Sequence, residues 1–232
     1  VPPEEIADLH AEASRRGLPF HIHVEEQRSE VEACVLAYGH PPMAVLLDTL
    51  GRAGDWTAIH CTHTRPEDME RFLSAGGRVC ACPLTEANLG DGIPDLSRIL
   101  GAEGRLSLGT DSNARICMTE EMRWLEYGQR LAGERRGVVV DNQGSTARAL
   151  LRIATEGGAR ALGLDAGRLA PGHWVDLVVI DLNTPSLVGC DESSLLDAWV
   201  FGSGNDAVVA TCVAGRWRES RDEDRPRGDT GR

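Results

Sequence analysis

The sequence predicts an α/β fold: a parallel sheet built from repeated strand–helix units, with a small β unit after it. Three observations predict this. Short apolar runs recur at 19–24, 56–61, 78–83 and 105–111, and each is followed by residues with helical spacing. Repeated βα units imply parallel strands joined by right-handed crossovers. After about residue 165 the long helical patterns stop, and 172–182 and 206–217 read as strands with Gly-rich turns. Finally, 41% of the 232 residues are hydrophobic, enough to build a sizeable core and too many for wholesale disorder.

The elements follow in order. Residues 3–16, PEEIADLHAEASRR, read as a helix stopped by Gly17. The first strand is 19–24, and 29–37 and 42–53 carry helical spacing. WTAIHC (56–61) is a strand, and RPEDMERFLSAGG (65–77) is a helix with Pro near its start and Gly at its end. RVCACP (78–83) is a strand, LSRIL (96–100) a short helix and RLSLGTD (105–111) a strand. TEEMRWLEYGQRLAG (119–133) is a helix, and 145–163 continues as one or two more. The 206–217 run is taken as one strand, with no helix of length before it. Residues 218–232, charged and without periodicity, are expected to be a disordered tail.

Composition excludes several classes of partner. A formal net charge of −12 argues against nucleic acid or an anionic membrane surface. No run of about 18 apolar residues is present to span a bilayer, and no basic-then-apolar leader is visible. All 24 basic residues are arginine. The seven cysteines (34, 61, 80, 82, 117, 190 and 212) are scattered and form no CxxC pair, which suits buried thiols in a reducing cytoplasm.

The informative residues stand where strands end. FHIHVEEQ (20–27) carries His21 and His23 on one side of the strand and then breaks into Glu25 and Glu26. The second strand ends in His60, with His63 three further on, and the fourth ends in Asp111. In a parallel sheet or barrel the C-terminal strand ends lie on one rim, where loops build the active site. Three strands thus bring His, His and Asp to that rim, residue types that hold a divalent metal. Taken singly, a histidine at a strand end is an ordinary polar residue and an Asp after Gly-Thr an ordinary helix cap. His21 reads as a support one pleat deeper, Glu25 as a bystander acid, and His10, His40, His63 and His173 as unrelated to the site.

HIHVEE (21–26), AIHCTH (58–63) and LGTDS (108–112) resemble the second half of an amidohydrolase-superfamily barrel, in its deaminase branch. HIHVEEQRSEVEAC (21–34), CPLTEANLGDGIPD (82–95) and EEMRWLEYGQRL (120–131) are similar to the formimidoylglutamate deiminases, enzymes of histidine degradation. The resemblance runs over roughly 1–215 and includes GRLAPGHWVDLVVIDL (167–182), similar to the β segment that returns after the barrel. It implies the C-terminal half of a TIM-type (β/α)8 barrel with an appended small β-sandwich segment. Residues 1–165 would supply strands five to eight and 166–217 the β segment.

The resemblance also implies roles. His23 and Asp111 would be metal ligands, with zinc the usual ion. Glu26 would be the proton shuttle, His60 would polarise the reacting centre, and Asp111 would take a proton from water. The implied reaction is hydrolysis of N-formimino-L-glutamate to N-formyl-L-glutamate and ammonia; a deaminase acting on a purine, pyrimidine or triazine, or an inactive fragment or scaffold, are the other readings. The partner is a small-molecule substrate, and a homodimer is among the expected assemblies. Its two carboxylates call for arginine or backbone N–H donors; Arg28 and Arg115 lie near the rim in sequence but read as surface charges, so the gripping residues stay unassigned. The family's first-strand His-x-His pair has no counterpart here. The chain is therefore expected to act as part of a longer enzyme and to be inactive alone.

Overall fold

The computed structural model describes residues 1–51, 56–101, 104–112 and 115–219. Helix α1 (Pro3–Arg15) opens with proline and two acidic residues in its first turn, as a helix N-terminus favours. Strand β1 (Phe20–Val24) is followed by α2 (Arg28–Tyr38), which ends at Gly39 in the left-handed region, φ 77°. Then come α3 (Pro42–Leu50), β2 (Trp56–His60), α4 (Pro66–Ser74) and β3 (Arg78–Ala81). Helices α5 (Pro83–Leu89) and α6 (Ser97–Leu100) lead to β4 (Leu106–Leu108) and the long α7 (Met118–Gly133). Helix α8 (Thr146–Arg152) passes through a π-helical turn, Ile153–Gly157, into α9 (Gly158–Ala161). Strand β5 (Leu177–Ile180), helix α10 (Leu195–Gly202), and strands β6 (Val208–Val213) and β7 (Arg216–Glu219) complete the order.

The first four strands form one parallel sheet in the order β1-β2-β3-β4. Its register puts Ile22, Ala58, Val79 and Leu106 side by side. That row belongs to the core, where Trp56 meets Phe72 with ring centroids 4.4 Å apart. The neighbouring row, His23, Ile59, Cys80 and Ser107, points to the other face, because side chains alternate along a strand. One face of the sheet is therefore packed on helices, and the other carries His23, Cys80 and Ser107 beside the apolar Ile59.

Gly157, in the π turn, lies against β4 so closely that an added Cβ would stand 2.1 Å from the Leu106 carbonyl oxygen. The last three strands form a separate antiparallel sheet, β5-β6-β7, with a register shift between Val179 and Ile180. Helix α10 packs against α7 and α8, and its Val200 joins the main core. Arg123 on α7 fastens the far end of α10 by donating to the Ser203 carbonyl.

Four elements differ from expectation. Residues 84–89, given no element above, fall in helix α5. Helix α10 intervenes where no helix of length was expected. The run expected as one strand over 206–217 is β6 and β7, turned at Ala214 and Gly215, both with positive φ. Strand β7 continues to Glu219, into the expected tail; 220–232 lie outside the described residues.

Candidate metal centre

His23 stands one residue before the end of β1, on the face turned away from the core, and its side chain is more than half exposed. The chain then turns through Glu25, whose φ of 55° lies in the left-handed region. The backbone N–H groups of Glu25 and Glu26 both donate to the Glu30 carboxylate, at 3.0 and 2.9 Å. This small nest aims the Glu26 side chain back over the sheet. Glu25, a bystander to the metal, has a structural part: it is wholly buried, and its Oε1 accepts the Met43 N–H at 2.9 Å, in the first turn of α3.

His60 reaches the site by a backbone inversion. By alternation it would follow Trp56 and Ala58 into the helix layer. Its φ of 72° breaks that alternation, and Cys61 follows with φ 56°. The imidazole, fully buried, lies 5.3 Å from the His23 ring, centroid to centroid. Its Nε2 is 3.6 Å from Glu26 Oε1 and 3.8 Å from Asp111 Oδ2. Asp111, three residues past β4 and also left-handed at φ 46°, puts its other oxygen 3.8 Å from His23 Nε2.

His23, His60 and Asp111 each offer a ligand atom, and these atoms all lie within 4.8 Å of one another. The separations are too long for direct hydrogen bonds. They are on the scale of two metal–ligand bonds of about 2 Å each. The Nε2 of His60 is buried with no hydrogen-bond partner. Imidazole nitrogens and a carboxylate are the donors zinc takes, so the set fits a divalent ion.

The surroundings are acidic. Burial pushes the Glu26 carboxyl above its usual range; His60 opposes this, and Asp91 and Asp111 add to it. On His60 burial opposes charge, but the Glu86 hydrogen bond and the Glu26, Glu86 and Asp111 charges outweigh it, and its pKa sits above the ordinary imidazole value. Glu86, on α5, is almost wholly buried; its Oε1 lies 3.3 Å from His60 Nδ1 and accepts the Cys82 N–H at 2.8 Å. In the sequence this residue has no role of its own assigned to it and is carried only inside the stretch CPLTEANLGDGIPD.

The other residues singled out sort as follows. His21 Nε2 lies 2.8 Å from the Ala161 carbonyl oxygen, so it supports β1 from the end of α9. Arg28 is exposed, and Arg115 pairs with Glu120 at 2.6 Å. His63 lies beside the turn at Gly92, where an added Cβ would be 3.5 Å from its Cε1. His10 packs edge-on against Phe20, and His173 accepts from Arg168.

Comparison with known proteins gives this geometry a context. The chain is 40% identical over 218 residues to a formimidoylglutamate deiminase of Pseudomonas aeruginosa, an alignment covering 94% of the chain and 48% of that relative. Among solved structures it resembles an amidohydrolase from Brucella melitensis, with TM-score 0.85 and 36% identity over 95% of this chain and 48% of the other. It also resembles an adenosine deaminase from Xanthomonas campestris with bound zinc, with TM-score 0.84 and 25% identity over 94% of this chain and 49% of that one. The chain thus spans about half the length of the relatives it matches. The amidohydrolase family profile matches residues 1–218, and with the parallel sheet and its rim of histidine and aspartate already described, the chain belongs to the amidohydrolase family.

Proposed function

We propose that this chain forms the catalytic rim of a metal-dependent deiminase that hydrolyses N-formimino-L-glutamate to N-formyl-L-glutamate and ammonia. The observation that carries the reaction class is the convergence of His23, His60 and Asp111 within 4.8 Å, with Glu26 beside them. The substrate is proposed from the 40% identity to the Pseudomonas enzyme.

In this reading His23 and Asp111 hold the ion, zinc being the proposed metal, and further ligands come from outside this chain. Two ligands are too few for a catalytic zinc, which takes three protein donors. The parallel sheet is proposed as the second half of a TIM-type (β/α)8 barrel, and β5, β6 and β7 as part of a β-sandwich domain. A divalent ion held by His23 and Asp111 would lower the pKa of a bound water to about 7, and Asp111 is placed to accept the water proton. Glu26 carries a proton to the departing nitrogen, and its raised pKa keeps the acid form available for that transfer. His60, facing both carboxylates, polarises the carbon under attack. Such acid–base help contributes roughly 10²–10⁴-fold.

The test is ammonia release by the complete enzyme, offered N-formimino-L-glutamate, guanine and an adenosine analogue in parallel. The deiminase reading expects turnover of the first alone. Turnover of guanine or the adenosine analogue instead would support a purine deaminase; the Xanthomonas structure is an adenosine deaminase. The isolated 232-residue chain is expected to release no ammonia, and release by that chain would overturn the need for an outside half.

A further inference from the structure

The buried contact between His60 and Glu86 is not explained by holding a metal or substrate, since Glu86 faces the side of the imidazole turned away from the rim. His60 Nδ1 lies 3.3 Å from Glu86 Oε1, while Nε2 looks towards Glu26 and Asp111. We propose that Glu86 is the positioning residue of the site: it keeps the proton of His60 on Nδ1 and the ring plane fixed, so that Nε2 is presented to the reacting centre. This deepens the proposed function and rests on the reading that His60 acts on the substrate.

Three features carry it. A carboxylate only accepts hydrogen bonds, so a buried Nδ1 beside it must be the N–H donor. Glu86 is also held rigidly. Its N–H donates to the Cys82 carbonyl at 3.0 Å, its carbonyl accepts the Asp91 N–H at 2.9 Å, and its Oε1 accepts the Cys82 N–H. The helix it stands on is itself anchored, because Leu84 N–H donates to Glu121 Oε2 on α7 at 3.0 Å. Lastly, His60 needs an external restraint. Its own backbone is left-handed, and its Nε2 makes no hydrogen bond that would set the ring. Groups that orient an active-site imidazole in this way typically change activity or metal affinity by about 10–100-fold when removed.

The experiment uses the complete enzyme with ¹⁵N-labelled histidine, His60 being assigned from a His60→Gln sample. In the parent protein the His60 signals are expected to report a proton on Nδ1. In Glu86→Ala they are expected to move to a mixture of the two tautomers, with kcat falling about 10–100-fold and KM changing less than threefold. Glu86→Gln keeps an oxygen beneath the Cys82 N–H and covers the case in which the alanine variant does not fold. It is expected to fall between the parent and alanine, at about a tenfold loss of kcat. Two results would overturn the proposal: a parent spectrum with Nδ1 unprotonated, or variants whose His60 signals and kcat match the parent. A fall in thermal stability with kcat unchanged per folded molecule would also reduce Glu86 to a structural anchor. If the parent enzyme turned over no formimino substrate, the proposed function would fail, and the ¹⁵N spectra would still decide the role of Glu86.

Discussion

The carboxylate of Glu25 ends on the backbone of Met43: the residue that follows β1 satisfies a first-turn N–H of α3, 18 positions further along the chain. The side chain is wholly buried, and burial raises its pKa against the opposing Met43 hydrogen bond. The site and the fold are joined here, because the turn that Glu25 fixes is the one that aims Glu26.

Glu25→Ala is therefore expected to cost about 1–3 kcal/mol, the usual penalty for leaving a buried donor unsatisfied. The fall should appear in thermal unfolding. Turnover should drop as well, through the loosened Glu26. A melting temperature equal to the parent's would mean that water replaces the carboxylate.

Asp111→Asn keeps the shape of the side chain and removes its charge. The complete enzyme is expected to lose bound metal and to lose turnover by at least two orders of magnitude, at the lower end of what acid–base groups contribute. Metal content per chain, measured by elemental analysis before and after chelation, checks this. Full metal content with no turnover would instead restrict Asp111 to proton transfer.

Glu121 supplies a pH test away from the metal. Burial pushes its carboxyl up to about 7, with the Leu84 N–H opposing and Glu86 adding to the shift. A carboxyl raised in this way holds its proton more tightly in the folded state. Its contribution is full below the unfolded pKa near 4.5 and is lost as pH rises through about 7. Glu121→Gln cannot ionise, so the variant should outlast the parent at pH 8 by up to about 3 kcal/mol. The gap should nearly close towards pH 5. Parallel denaturant curves at the two pH values measure it, and an equal gap at both would remove the ionisation argument.

Gly157→Ala should destabilise sharply, because the new methyl would press on the Leu106 carbonyl, a backbone atom that cannot swing aside. Overpacking of this kind costs about 1–3 kcal/mol or more. Thermal unfolding reads it directly. Gly158→Ala is the control, since nothing lies within 4 Å of its added Cβ.

How far the sequence could be read depends on the kind of signal. Strands β1 to β4 were legible because each is a compact apolar run between helices with clear period. His23 and Asp111 stand out because they lie at the C-terminal ends of such runs. His60 was found by its place at a strand end, but its direction was hidden: alternation aims it at the core, and only the left-handed backbone turns it back. The structural part of Glu25 is hidden in the sequence, because nothing in two adjacent acids after a strand says that one of them accepts an N–H of α3 18 residues away. Glu86 was passed over because α5 spans only seven residues, too few for a periodic pattern. Helix α10 escaped for a different reason: LLDAWVFG is apolar on nearly every side, so no face distinguishes it from a buried strand.

Glu25, His60, Cys61 and Asp111 all hold a backbone conformation that side chains disfavour, and all four stand at the rim. Such positions cost of order 1–3 kcal/mol each. Heat resistance and turnover should therefore compete at this rim. A directed-evolution campaign screened only for thermal survival would drift towards glycine at Cys61, relaxing the bend that delivers the imidazole. One screened for product would keep the tension and look for its robustness elsewhere in the molecule.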